Sequence, residues 1–126
     1  MFSTALLTVL LGFCLPVAQS PDPATQKAAP AKQYFIAVFS RGPEWDDRKP
    51  ANEQTGFKEH SDNLRRLRAD KKLAIGGRYG EKGMVIIEAR DEDEARAHFA
   101  SDVMVTKKTF TLELFQFRPF YKGSIE

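Results

Sequence analysis

The sequence contains little cysteine, little histidine and no large excess of charge of one sign. Cys14 is its single cysteine, so the chain cannot form a disulfide within itself. His60 and His98 are its two histidines, which are too few for most zinc sites, and we expect neither a metal nor a cofactor. The 19 basic and 17 acidic side chains leave a net charge of +2. Because nucleic-acid binding usually needs a strongly basic surface, we expect no nucleic-acid partner.

The sequence also lacks an apolar run of about 20 residues, the length that a typical membrane-spanning helix needs. Its longest such run, residues 5–18, is followed by small and polar residues, which is typical of a secretory signal peptide. We therefore expect a signal peptide over residues 1–20 and a secreted or periplasmic protein, with an uncleaved membrane anchor as the alternative. Residues 21–32 contain several prolines and alanines and predict a flexible linker. We expect one domain over residues 33–121 and a tail over residues 122–126.

The rest of the chain predicts four strands and two helices. Apolar and β-branched runs predict strands at residues 34–40, 73–79, 84–89 and 110–117. Apolar residues three and four positions apart predict a first helix over 53–72. Asp91, with Glu94 three residues later, predicts the start of the second helix. The order β-α-β-β-α-β favours an α+β fold, specifically a ferredoxin-like sandwich with both helices on one face of an antiparallel sheet.

The strands at 34–40 and 84–89 are apolar on both faces. Because the helices of such a fold cover one face only, we expect a second copy to pack on the other, giving a homodimer of the α+β barrel type. In the last strand Leu112 and Leu114 share one face, whereas Phe115 and Phe117 share the other. This change of phase predicts a bulge or a change of partner in that strand.

His60 and Asp102 are the candidates for catalysis. His60 lies on the apolar face of the first predicted helix, beside Phe57 and Leu64. An imidazole exchanges protons near neutral pH, which suits acid–base catalysis, while a hydrogen-bonded histidine at the edge of the core is the alternative. Asp102, after the second helix, is the candidate partner of His60, with a turn or helix-terminal role as its alternative. The chain has no G-x-S-x-G motif, which disfavours a covalent acyl enzyme.

Three further side chains are candidates for binding a small molecule. Trp45 begins the long loop before the first helix, where it could stack on a ligand or close the end of the sheet. Arg41 and Arg78 lie at strand ends, where a guanidinium can bind a carboxylate through two parallel hydrogen bonds. Solvated arginines are common at such positions, which is the alternative for both.

From about residue 34 to residue 118, the chain resembles the YCII-related domain family. The most specific parts of the resemblance are GPEW at 42–45, Gln54 with His60, GG at 76–77, and Asp102. The resemblance implies a dimeric ferredoxin-like fold with His60 and Asp102 as an active-site pair between helix and sheet, and it adds Gln54 to the substrate-binding candidates. It implies no particular reaction, since most members have no established substrate. Val103 replaces a common proline, and residues 107–109 replace a usual glycine.

Two functions from different classes are therefore open. The first is a small exported enzyme that uses His60 and Asp102 for acid–base chemistry on a small organic substrate. The second is a non-catalytic dimeric module that binds a small ligand or a partner protein in the same cleft. Contact between the two side chains beside an open cleft would favour the first.

Overall fold

The computed structural model describes residues 30–123 of the chain. Its strands are β1 (Gln33–Arg41), β2 (Leu73–Tyr79), β3 (Lys82–Ala89) and β4 (Phe110–Phe117), and its helices are α1 (Phe57–Ala69), α2 (Glu92–Ala97) and α3 (Val103–Thr106), with a 3-10 turn at Ala51–Glu53. The predicted signal peptide, most of the predicted linker and residues 124–126 lie outside the described residues. None of the helices within 30–123 is long and apolar enough to cross a membrane.

The four strands form one antiparallel sheet in the order β2-β3-β1-β4. The central strands are thus β1 and β3, the two whose sequences are apolar on both faces. α1 connects β1 to β2, and α2 and α3 connect β3 to β4. These elements confirm the predicted α+β class.

The core lies between the sheet and the helices. Phe35, Ala37 and Phe39 point from β1 into the same buried cluster as Leu67 of α1 and Ala95 of α2. Both helices therefore cover the same face of the sheet. Phe99 and Leu67 are among the largest fully buried side chains, and burial of a side chain of this size stabilises the fold by about 1.5–3 kcal/mol.

The first helix is shorter than the predicted 53–72 because its ends depend on backbone conformation, which apolar spacing does not report. Gly56, just before α1, has φ 86°, a left-handed conformation that favours glycine, and Lys71, after its end, has φ 57°. The predicted start of the second helix is confirmed. Asp91 caps α2 by accepting a 2.8 Å hydrogen bond from the backbone N–H of Glu94.

The prediction of a bulge or a change of partner in the last strand is wrong. β4 pairs with β1 without interruption, from Phe110 opposite Arg41 to Phe117 opposite Tyr34. The apolar residues change phase because β4 is apolar on one face at its start and on the other at its end, which a regular strand accommodates. The register shift in this sheet lies instead in β2, between Leu73 and Ile75.

The face of the sheet opposite the helices carries an apolar surface, which we call the outer face. Ile36 of β1 pairs with Ile86 of β3 and Phe115 of β4, and Ile75 of β2 pairs with Ile86, so these side chains share one face. The remaining apolar members of the outer face are Tyr34, Val38, Tyr79, Met84 and Phe117, of which Val38 is buried and Tyr79 is 48% exposed. Phe115 is 52% exposed. No helix of the described residues packs on this surface.

Candidate active site

His60 and Asp102, which are far apart in sequence, meet between α1 and α3. The imidazole Nδ1 lies 2.7 Å from Asp102 Oδ2. The side chain of His60 is 7% exposed and that of Asp102 is fully buried. The helices bring them together where Val103, the first residue of α3, packs against Gly56 at the start of α1; a Cβ on Gly56 would lie 2.7 Å from Val103 Cγ1. The two candidates therefore form a buried hydrogen-bonded pair.

Asp102 does not end a helix, as its position after α2 suggested, but begins one. As the N-cap of α3, its Oδ1 accepts a 3.1 Å hydrogen bond from the backbone N–H of Met104. Its Oδ2 accepts from Asn63 Nδ2 at 3.3 Å as well as from His60. A carboxylate that accepts from its other neighbours also accepts from Nδ1–H. This tautomer leaves Nε2 of His60 as the free acceptor of the ring.

Aromatic side chains surround the imidazole of His60. Phe39 and Phe110 contact it edge to face, with centroid distances of 4.9 and 5.3 Å, and Phe57 lies at 6.5 Å. Trp45 stacks on Phe110 with centroids 5.7 Å apart. These contacts restrict the orientation of the ring and leave little of it exposed, which strengthens electrostatic interactions at the site.

His60 lies in the wall of an open cavity of about 730 Å³, a volume typical of sites for small molecules. The cavity lies between α1, the loop before α1, strands β1, β2 and β3, and the start of β4. Its apolar lining includes Phe39, Trp45, Phe57, Leu64, Leu73, Val85 and Phe110, and its charged lining consists of Arg41, Lys49, Arg78 and Glu81. The arrangement combines an apolar interior with a few polar groups, as ligand sites usually do.

Three of the predicted binding residues line this cavity with His60. Trp45 forms part of its wall, and Arg41 and Arg78 contribute cations. The guanidinium of Arg41 donates a 2.5 Å hydrogen bond to Glu81 Oε2, and its Cζ lies 5.1 Å from the Trp45 ring centroid. The side chain of Arg78 makes no hydrogen bond or ion pair with any other residue in the described part of the chain, whereas its backbone pairs with Gly83 in the sheet.

Gln54, the fourth predicted binding residue, is not among the residues that line the cavity. Its side chain is buried, and its amide bonds the loop backbone: Oε1 accepts from Asp46 N–H, while Nε2 donates to the carbonyls of Asp46 and Lys49. These bonds use the polar atoms of the amide, so the structure gives Gln54 a role in holding the loop next to Trp45. The same loop contains an Asp46–Arg48 pair, in which the guanidinium lowers the pKa of Asp46 to about 2.

Sequence reasoning missed Asn63. Its Nδ2 donates both to Asp102 Oδ2 and to the backbone carbonyl of His98, at 3.3 and 3.0 Å. It thereby connects α1 to the segment that carries Asp102. The available signal was its position three residues after His60, which places both side chains on one face of a helix. Within residues 30–123, no three His, Cys, Asp or Glu side chains gather as a metal site would require.

Comparisons of the chain with protein-family models, with curated proteins and with solved structures find no match. The resemblance to the YCII-related domain therefore remains a prediction that depends on the quoted residues.

Proposed function

We propose that this protein is a small enzyme in which His60 and Asp102 perform acid–base chemistry on a small organic substrate. The observation that carries the proposal is the 2.7 Å contact between His60 Nδ1 and the buried carboxylate of Asp102, with the imidazole in the wall of a cavity. A general base needs a positioned acceptor and a space for substrate beside it, and both occur here.

The proposed reaction begins with transfer of a proton from the substrate, or from a water molecule that attacks it, to Nε2 of His60. Nδ1–H remains bonded to Asp102, whose negative charge stabilises the imidazolium that forms. The imidazolium then returns the proton to another atom of the substrate or to the leaving group. Asp102 orients the ring and does not itself contact the substrate.

We also propose that the fold is ferredoxin-like and that the chain is related to the YCII-related domain. The antiparallel order β2-β3-β1-β4, with both helices on one face, supports the first proposal. The His60–Asp102 contact supports the second. The relationship would be contradicted by a crystal structure of a YCII-related domain in which the corresponding histidine and aspartate lie far apart.

A homodimer through the outer face is part of the proposal. Contiguous apolar side chains across several strands are typical of an interface, and Phe115 of this face is 52% exposed. A second copy related by a twofold axis would cover it with an identical surface.

Export is likewise proposed, from the apolar run at residues 5–18. Mass spectrometry of the mature N-terminus would distinguish a cleaved signal peptide from a retained anchor.

Deuterium exchange tests the acid–base proposal. The protein is incubated in D₂O with a panel of small carboxylic acids, lactones and ketones that carry acidic C–H bonds, and incorporation is followed by NMR. We expect catalysed exchange with at least one compound and a loss of about 100-fold or more in His60→Gln. The control is His98→Gln, which changes a histidine outside the cavity lining.

Two results would contradict the proposal that the protein is an enzyme. His60→Gln could retain the wild-type rate of exchange while folded by circular dichroism, which would remove the base from the mechanism. Saturable binding of panel compounds without any exchange would instead support the non-catalytic binding module.

A further inference from the structure

We infer that the substrate is a small monocarboxylate with a flat apolar body, and that Arg78 binds its carboxylate. The inference rests on the proposed function, because it assigns a substrate class to the same cavity. It also assigns different roles to Arg41 and Arg78, whereas the sequence predicts the same role for both.

The charges that line the cavity favour an anion. Three cations, Arg41, Lys49 and Arg78, face one acid, Glu81. Arg41 is already bonded to Glu81 and lies over Trp45, so it is part of the cavity wall.

The two remaining cations differ in their partners. Lys49 Nζ lies 4.0 Å from a carboxylate oxygen of Asp46. The guanidinium of Arg78 has neither a hydrogen bond nor an ion pair with any of residues 30–123. Its planar fork of donors matches the two oxygens of a carboxylate. Arg78 is therefore the group best placed to receive a negative charge.

Glycine residues form part of the cavity floor beside Arg78. Gly76 and Arg78 lie on the helix-facing side of β2, opposite Val85 and Gly83 of β3. A Cβ on Gly83 would have no neighbour closer than 3.9 Å, so the backbone there is accessible, whereas Val85 packs 3.2 Å from the Cβ position of Gly76. Aromatic rings form other parts of the wall. A flat apolar group fits such a slot, and its far end would lie toward His60.

A doubly charged ligand such as a phosphate monoester fits less well. One unpaired guanidinium cannot supply the several donors that a phosphate usually receives. Glu81 at the same cavity would also repel a second negative charge. The substrate class is therefore a singly charged carboxylate.

Trp45 provides a direct reporter of binding, because it is the only tryptophan of the chain and lines the cavity. We would titrate the full chain with benzoate and with benzamide, which has the same shape but no charge, and follow Trp45 fluorescence. Wild type should bind benzoate about tenfold more tightly than benzamide, and added salt should weaken benzoate binding because the ion pair is partly exposed.

The test variant is Arg78→Met, which keeps the aliphatic stem and removes the charge. We expect it to lose about tenfold in benzoate affinity and less than twofold in benzamide affinity. Arg78→Lys should lie between, since it keeps the charge and loses the fork. The matched control is Arg68→Met, which removes the same charge from an exposed position of α1 outside the cavity lining.

Three outcomes would overturn the inference: no saturable Trp45 signal with benzoate, equal affinities for benzoate and benzamide in wild type, or an Arg78→Met variant that binds benzoate like Arg68→Met. The benzoate titration measures no proton transfer, so its result does not depend on whether His60 acts as a base. Failure of the acid–base proposal would therefore leave the binding result intact, and failure at Arg78 would leave the exchange test of His60 intact.

Discussion

The imidazole of His60 depends on a carboxylate that is itself held by several donors. Asp102 accepts from the ring, from the amide of Asn63 and from the backbone of Met104, all within a buried region. If the acceptor is removed, its donors stay buried without a partner. The free-energy cost of these unpaired donors is larger than the net stabilisation that the hydrogen bonds provide in the native protein. The pair is therefore expected to matter for stability as well as for chemistry.

Asp102→Ala should lower the free energy of unfolding by about 3 kcal/mol, because two buried donors and one part-buried donor lose their acceptor. Asp62→Ala is the matched control. Asp62 pairs with Lys58 and Arg65 at the surface, and loss of exposed ion pairs should cost less than about 1 kcal/mol. Urea denaturation of both variants measures the difference, and equal losses would contradict the structural importance of the buried carboxylate.

Lys108 has a left-handed backbone conformation, which favours glycine. Its φ is 61°, in the left-handed region that costs an L-residue roughly 1–2 kcal/mol. Lys108 therefore places local strain just before β4.

Lys108→Gly should stabilise the protein by about 0.5–1 kcal/mol, since relief of the strain exceeds the entropy that glycine loses on folding. Lys107→Gly provides the comparison, because φ of Lys107 is −86° and glycine offers no relief there. Thermal unfolding followed by circular dichroism should show a higher midpoint for the first variant only. A lower midpoint for Lys108→Gly would contradict the assignment of strain.

At the scale of elements, the loop between β1 and α1 places Trp45 beside the cavity. Gln54 bonds the backbone of this loop from within. At its start, Gly42 approaches the segment before β4 so closely that a Cβ would lie 2.1 Å from the carbonyl oxygen of Lys108. The geometry of the cavity wall therefore depends on glycine at 42 and on the amide of Gln54.

The Asp46–Arg48 pair makes one interaction of this loop sensitive to acid. Because the pKa of Asp46 is lowered to about 2 in the folded state, its contribution to stability is present above its ordinary value of 3.8 and is lost as pH falls toward 2. NMR titration of the carboxyl carbon should give a midpoint near 2 in wild type. In Arg48→Met the midpoint should move up toward 3.8; an unchanged midpoint would remove Arg48 as the cause.

The strands and the capped helix were predictable from the sequence because their signals are local. Residues 73–79 and 110–117 are strands with the predicted bounds, and Asp91 caps α2 as its neighbour Glu94 indicates. The ends of α1 were not predictable, because they depend on the φ angles of Gly56 and Lys71. The regular pairing of β4 was not predicted. A strand whose apolar residues lie first on one face and then on the other shows the same change of phase in its sequence as a strand with a bulge.

At the scale of the whole molecule, the outer face determines the expected assembly. Ile36, Ile86 and Phe115 lie side by side across three strands of this face. The helices are all on the other side of the sheet in the described part of the chain, so only another chain or a segment outside residues 30–123 could cover the face.

We predict that light scattering will give the mass of two chains and that Phe115→Lys will give the mass of one. Phe115 is 52% exposed in a single chain, so the lysine should leave the fold of each subunit unchanged while placing a charge in the interface. Phe120→Lys is the control, because Phe120 is 90% exposed and lies beyond β4. A monomeric wild type would contradict the dimer.

Residue type and spacing by themselves determined the α+β class, the apolar character of β1 and β3, and the choice of His60, Asp102, Trp45, Arg41 and Arg78 as candidates. These properties are encoded within a few neighbouring positions, where the periodicity of a strand or helix is visible. Only the tertiary structure decided that His60 meets Asp102, that Asn63 joins them, that Gln54 bonds the loop, and that Arg78 lies unpaired in the cavity. Such contacts join residues that are distant in the chain, and they exist only after helices pack on the sheet.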